Sequence, residues 1–188
     1  MRRMKAQPKA RRYGISILTR FGPFFLEATE HGLYQLEFPR EGKSEKGVQA
    51  RGKVRSRDLK RETGIRDLLI RAGRQLQQYL KGRPASFRSL RLDYSGLSPF
   101  ECKVLRQLRK VPKGRAVSYA HLSRKAGAAE ASRAVGSVMR KNRLPIIVPC
   151  HRIIRADGSL GRYAKGAAWK RRLLLLEGLS LGLSGARR

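Results

Sequence analysis

Acid is scarce in this sequence beside base. It sets 13 Asp and Glu against 44 Lys and Arg, a net charge of +31. A surface so basic attracts polyanions through phosphate contacts and counterion release, which makes nucleic acid the expected partner. The plain alternative is the background of a generally basic proteome. Cysteine is scarcer still. Cys102 and Cys150 are too few for a disulfide framework in a chain of 188 residues, and point to a reducing, cytoplasmic setting. Three histidines and two cysteines, widely dispersed along the chain, give no CxxC or HxxxH spacing, so no metal site is expected. No apolar run approaches the ~20 residues needed to span a bilayer. No basic amphipathic helix with an aromatic face stands out either, and a membrane is not an expected partner.

What remains is a chain that is 40% hydrophobic, enough to bury a core in one large domain or two small ones. Residues 1–12 hold six Lys/Arg and no acid, the composition of a disordered basic arm. From Tyr13 to Phe38, short alternating stretches separated at Gly22-Pro23 and His31-Gly32 predict an antiparallel meander. Residues 39–63 are polar, basic and dotted with glycine, and read as a long loop. A helical stripe over Gly64–Lys81 (Ile65, Leu68, Leu69, Ala72, Leu76, Tyr79, Leu80) ends at Gly82-Arg83-Pro84. Leu90–Asp93 is a further candidate strand. Strands and one helix make an α/β unit over 13–94 in which nothing looks reactive, and 95–99 is the expected linker.

The second half predicts short helices: Phe100–Arg109 started by Ser98 or Pro99, His121–Ala126 capped by Ser118, and Ala129–Lys141 after the break at Gly127. Two helices around a glycine turn suggest a helix-turn-helix, although helix pairs are common. The last of these helices carries small residues, including Ser132 and Ala134, which permit close approach to a duplex. Arg133 among them is either a groove-directed side chain or one more solvated arginine. Ala167–Glu177 is the final helix, stopped at Gly178, and 181–188 is a fraying tail.

Between these helices stands Ile146-Ile147-Val148-Pro149-Cys150-His151-Arg152-Ile153-Ile154. Its apolar flanks read as buried β structure. Pro149 fixes φ and removes a donor, so the chain must turn there. Cys150 then sits at a rigid corner beside an imidazole and a guanidinium, a setting that lowers a thiol pKa. An inert buried cysteine is the competing reading.

These pieces resemble the methylated-DNA–protein-cysteine methyltransferases. The resemblance rests on Pro149-Cys150-His151-Arg152, preceded by Val117-Ser118-Tyr119, Arg133-Ala134-Val135-Gly136-Ser137-Val138-Met139 and Asn142. It continues through Gly161, Tyr163, Gly166, Lys170 and Glu177-Gly178. It is close from Pro99 to Gly178 and loose before that. It implies an α+β protein: a ribonuclease-H-like N-terminal α/β domain over 13–94, then a mostly helical, winged helix-turn-helix-like alkyltransferase domain over 100–180.

The implied activity is repair of double-stranded DNA by transfer of an alkyl group from the 6-oxygen of guanine to Cys150, once per molecule. No cofactor is implied, and the protein is expected to act as a monomer. Thiolate suits that displacement, being the softest and strongest side-chain nucleophile. His151 would take the thiol proton, Glu177 would orient the imidazole, and Tyr119 would contact the extruded base and its phosphate. Arg133 would fill the gap in the stack, with Ser132 and Ala134 against the DNA. Asn142 would brace the turn before the cysteine. Met139, Pro145, Val148, Tyr163 and Ala164 would line the base pocket, and the carbonyls of Cys150 and Ile153 would read the guanine amine.

The sequence departs from the family pattern at Arg143, where proline is usual after the asparagine. Ala164 replaces a common hydroxyl, and Lys165 stands in a usual Gly-Gly pair. Three other readings remain: a lesion sensor of the alkyltransferase-like kind, in which the cysteine is replaced; a non-enzymatic basic DNA-binding protein; and a cysteine hydrolase. The hydrolase would need a histidine distant in sequence and an oxyanion hole.

Overall fold

The computed structural model of the chain describes residues 10–39 and 62–179. Most of the basic arm and of the 39–63 loop, and the whole 181–188 tail, lie outside them. The expected meander is present. Strands β1 (Tyr13–Thr19), β2 (Gly22–Thr29) and β3 (Gly32–Glu37) form an antiparallel sheet in that order. Gly22 and Pro23 belong to β2, opposite Thr19 and Leu18, and the turn is the Arg20-Phe21 pair before them. Leu90–Asp93 contributes a single parallel bridge, Leu33 to Leu92, rather than a strand.

Helix α1 (Thr63–Leu80) follows. Its predicted stripe packs on β1 and β2, with Leu69, Ala72 and Leu76 fully buried. The face is buried because its apolar residues recur at three- and four-residue spacing, and each large side chain removed from water contributes roughly 1.5–3 kcal/mol. Helix α2 (Pro99–Arg109) begins with a capping box. Ser98 Oγ accepts from Glu101 N at 3.2 Å, and Glu101 Oε2 accepts from Ser98 N at 2.8 Å. Lys141 reaches the same carboxylate at 2.8 Å, tying the end of a later helix to the start of this one.

Two short parallel strands, β4 (Val117–Ser118) and β5 (Ile153–Ile154), pair with each other. Ser118 caps α3 (Tyr119–Lys125), accepting from His121 N at 3.1 Å. The break after α3 is where it was expected: Gly127 takes φ +76, a conformation that costs other residues dearly. Helix α4 is shorter than predicted, Ser132–Lys141, because Ala128–Ala131 forms a turn with Ala131 N bonded to Ala128 O. Its buried side is Val135, Val138 and Met139, and Ala134 is exposed.

Helix α5 (Ala167–Leu176) closes the fold. Trp169 meets Phe21, Phe24 and Phe38 edge-on at centroid distances of 5.6, 5.7 and 4.8 Å. Such pairs add about 0.5–1.5 kcal/mol each beyond their area, and they dock α5 against the sheet. The helix ends at Gly178, with Leu179 N bonded to Leu174 O and Gly178 N to Leu175 O, which sets Glu177 at its terminus. Among the described residues no helix is long and apolar enough to cross a membrane.

Candidate active site

The segment before Cys150 is a corner, not the buried strand that its apolar residues suggest. Val148 N bonds to Leu144 O at 2.8 Å, and Ile146 stands at φ 74. A β-branched residue in that region costs about 1–3 kcal/mol and persists only where its surroundings over-determine it. Here they do. Ile146, Ile147 and Val148 are all buried, and Asn142 clamps the loop from the end of α4. Asn142 Nδ2 donates to Val148 O at 2.9 Å, and its Oδ1 accepts from Leu144 N at 3.1 Å. Pro149, at φ −81 and ψ 65, forms an inverse γ-turn closed by Cys150 N to Val148 O at 2.8 Å. One tight turn of 3₁₀ helix over Cys150–Arg152 follows and leads into β5. The β motif thus survives only after the chemistry-bearing residues.

Cys150 is 8% exposed. It lines a cavity of about 680 Å³ together with Tyr119, Ser132, Arg133, Gly136, Met139, Tyr163 and Ala164. Asn142 Nδ2 donates to its sulfur at 3.1 Å. Contrary to expectation, the thiol pKa is pushed up. Burial is the dominant cause, and the Asn142 amide, the Tyr163 hydroxyl and the Lys170 charge offset it only in part. The cations adjacent in sequence do not help because they are turned elsewhere. Arg152 donates from Nε to Glu177 Oε2 and from Nη2 to Glu177 Oε1, both at 2.8 Å, and from Nη1 to Val111 O at 2.5 Å. His151 is held neutral by burial, which outweighs the pull of Glu177 toward the charged form.

His151 is fully buried, and its Nε2 lies 2.8 Å from Glu177 Oε1. An ionised carboxylate only accepts, so Nε2 carries the ring proton and Nδ1 keeps a free lone pair. Nδ1 is buried without a hydrogen-bond partner among the described residues. Glu177 is itself buried, which alone would raise its pKa. The hydrogen bonds from His151 and Arg152 outweigh that and hold the carboxyl well below the usual range.

Tyr119 is half-buried over Gly136, where a Cβ would come within 3.9 Å of its ring. Its hydroxyl lies near Gly161. Burial, and then the nearby Cys150, raise its pKa. Tyr163 has a buried hydroxyl close to the sulfur but without a well-aligned hydrogen bond. Arg133 is exposed at the cavity mouth and donates no hydrogen bond among the described residues.

Of the residues singled out in the sequence, Pro145, Val148 and Ile153 do not line the cavity. The first two form the backbone bridge of the corner, and Ile153 is fully buried with its carbonyl accepting from Lys170 Nζ at 2.5 Å. That lysine is buried too, and also donates to Leu160 O. Burial lowers its pKa to about 8. Ser132 is at the cavity and Ala134 faces outward on α4.

Sequence reasoning missed Tyr79, in the last turn of α1. Its hydroxyl donates to Glu177 Oε1 at 2.7 Å and lies 3.2 Å from His151 Nε2. The available signal was a hydroxyl in an otherwise apolar buried stripe, which must find a partner. No cluster of three or more His, Cys, Asp or Glu that could hold a metal is present among the described residues.

Residues 99–179 match the family model described as the DNA-binding domain of 6-O-methylguanine DNA methyltransferase. A DNA base-flipping protein of Thermus thermophilus is 36% identical over 163 residues, 85% of this chain and 96% of the relative. A methylated-DNA–protein-cysteine methyltransferase of Methanosarcina acetivorans is 35% identical over 159 residues, 84% and 92% of the two chains. The crystal structure of Mycobacterium tuberculosis OGT in complex with DNA superposes with a TM-score of 0.64 at 30% identity, covering 86% of this chain and 90% of that one.

Proposed function

The chain belongs to the methylated-DNA–protein-cysteine methyltransferase family, and from that premise we infer that it repairs DNA by taking the alkyl group from the 6-oxygen of guanine onto Cys150. The observation that carries this reading is the cysteine itself. It stands in a cavity that opens beside α4, with an unpartnered imidazole nitrogen on the neighbouring residue.

The chemistry follows from the arrangement. An extruded guanine enters the cavity between Tyr119, Met139, Tyr163 and the backbone at Ala164. The Cys150 proton passes to His151 Nδ1 through a bridging water. Glu177 stabilises the imidazolium that forms, as the third member of such a relay does. Sulfur then bonds to the alkyl carbon as the carbon–oxygen bond breaks, and the electron pair leaves on guanine, toward which Tyr119 donates. A thiol whose resting pKa is raised by burial stays protonated until a base is in place. The thioether product offers water no leaving group, so each molecule acts once, without a cofactor.

Arg133, exposed on α4, takes the place of the extruded nucleotide, and Ser132 and Ala134 lie along the duplex. Asn142 holds the corner. We read 13–94 as a ribonuclease-H-like unit, supported by its antiparallel sheet and single packed helix. Residues 95–99 connect it to 100–180, a winged helix-turn-helix-like unit supported by the α3–turn–α4 geometry and the β4–β5 pair. We read the protein as a monomer, and its free cysteines and thiol nucleophile fit a reducing, cytoplasmic setting.

A base-flipping sensor is the competing reading, and mass spectrometry separates the two. After incubation with duplex DNA containing 6-O-methylguanine, the Cys150 peptide should gain about 14 daltons, the mass of one methyl replacing hydrogen. Cys150→Ala should gain nothing. Tight binding to the lesion duplex with no gain on Cys150 would establish the sensor instead.

A further inference from the structure

The last turn of α1 delivers a hydroxyl beside the acceptor corner, and the reaction described above makes no use of it. We propose that Tyr79 is a positioning residue for alkyl transfer, its hydroxyl fixing which ring nitrogen of His151 is protonated and holding Glu177 against the imidazole. This rests on the reading of Cys150 as acceptor and His151 as its base.

The geometry sets the roles of the three groups. Tyr79 Oη is closest to Glu177 Oε1, at 2.7 Å, so its proton goes to the carboxylate. Its oxygen lone pair then faces His151 Nε2 at 3.2 Å, and the Nε2–H is shared between Glu177 Oε1 and Tyr79 Oη. With two acceptors on that side the ring proton stays on Nε2, and Nδ1 is left as the free base. When the ring takes up the thiol proton, both acceptors strengthen. Tyr79 cannot leave this position easily. Its ring is 2% exposed, meets Phe87 edge-on at 5.9 Å, and lies just before the helix stop at Gly82, where Gly82 N bonds to Tyr79 O at 2.9 Å. Burial and the Glu177 charge keep its hydroxyl protonated. The other charged groups facing the imidazole are Arg152 on the 3₁₀ turn and Lys170 on α5, and neither supplies an acceptor. The N-terminal half, in which the sequence shows nothing reactive, thereby holds a group that positions the proton relay.

The test uses the full chain and Tyr79→Phe, which keeps the ring and removes only the oxygen. Iodoacetamide labelling of the Cys150 peptide, read by mass spectrometry from about pH 6 to about pH 10, needs no DNA. In Tyr79→Phe, labelling near neutral pH should fall about fivefold, the scale of one hydrogen bond, and its midpoint should move to higher pH. Methyl uptake from lesion duplex should fall by a similar factor. An unchanged labelling profile overturns the proposal. So does the same shift in Phe87→Leu, which loosens the ring and keeps the hydroxyl. Nitrogen NMR of the unaltered protein gives a check that needs no variant: a proton on His151 Nδ1 in place of Nε2 overturns it. If the labelling shift appears but the unaltered protein takes up no methyl, the transfer reading fails while the hold of Tyr79 on His151 stands.

Discussion

Replacing Asn142 by alanine tests the corner and the thiol together, because one amide serves both. Three hydrogen bonds disappear: Nδ2 to Val148 O at 2.9 Å, Nδ2 to Cys150 Sγ at 3.1 Å, and Leu144 N to Oδ1 at 3.1 Å. The two bonds to backbone are ordinary ones worth about 1 kcal/mol each. They also restrain Ile146 at φ 74, and any strain released there offsets part of the loss. We expect a net loss of about 1–2 kcal/mol, which for a chain of this size lowers the melting temperature by roughly 2–8 °C. The bond to sulfur acts differently, since it strengthens when the sulfur is charged. Bonds to charged groups are worth about 1.5–3 kcal/mol, or roughly one to two pH units in the thiol midpoint. Asn142→Asp separates the two effects. It keeps an acceptor for Leu144 N but sets a carboxylate oxygen against Val148 O and the sulfur, so its labelling midpoint should lie above that of Asn142→Ala whatever its melting temperature. The assay pairs thermal unfolding with the pH profile of iodoacetamide labelling at Cys150. Should Asn142→Ala melt early yet label with the parent's midpoint, the amide supports the loop alone and the direct stabilisation of thiolate is refuted.

Two further outcomes follow from the same site. Arg133→Ala should slow repair of duplex by about tenfold or more, since unstacking a base costs a few kcal/mol, and should leave reaction with the free 6-O-methylguanine base unchanged; equal losses on both substrates would remove the wedge role. Glu177 ionises in the folded protein below its ordinary pKa of 4.5, so the stability it contributes is complete above that value and is lost as pH falls through the folded pKa. Urea midpoints measured near pH 6 and near pH 3.5 should therefore drop further for the parent than for Glu177→Gln, and parallel drops would show that the carboxylate is not linked to folding.

Much of the architecture could be read along the chain because it is encoded locally. Alternation with paired turns predicted β1 to β3, and spacing predicted α1. Ser98 and Ser118 marked two helix starts, and Gly127 and Gly178 marked two ends. The errors fell where local preference meets a tertiary demand. The small residues Ala129 and Ala131 favour helix, yet the connection from α3 needs a turn there, and α4 starts at Ser132. Ile146 to Val148 have strand propensity, yet the asparagine clamp and the burial of all three side chains force a left-handed corner. Arg143, standing where the family usually has proline, finds work in that corner. It lies 4.1 Å over the Tyr34 ring, donates to Asp93 O and Ser95 O, and accepts from Leu36 N, joining the sheet to the loop before Cys150.

The sequence by itself determined that a thiol and an imidazole stand together at a turn, because Cys150 and His151 are adjacent and sit behind a proline that compels one. It also determined the basic character that draws the chain to polyanions, which is a sum over residues and needs no fold. Tertiary structure alone decided the protonation chemistry. Whether a thiol is raised or lowered depends on which groups face it and how much water is excluded. Here the adjacent Arg152 turns to a carboxylate 25 residues away, and Tyr79 joins that carboxylate from 98 residues away. Contacts over such separations exist only after the chain has closed on itself, and no local pattern announces them.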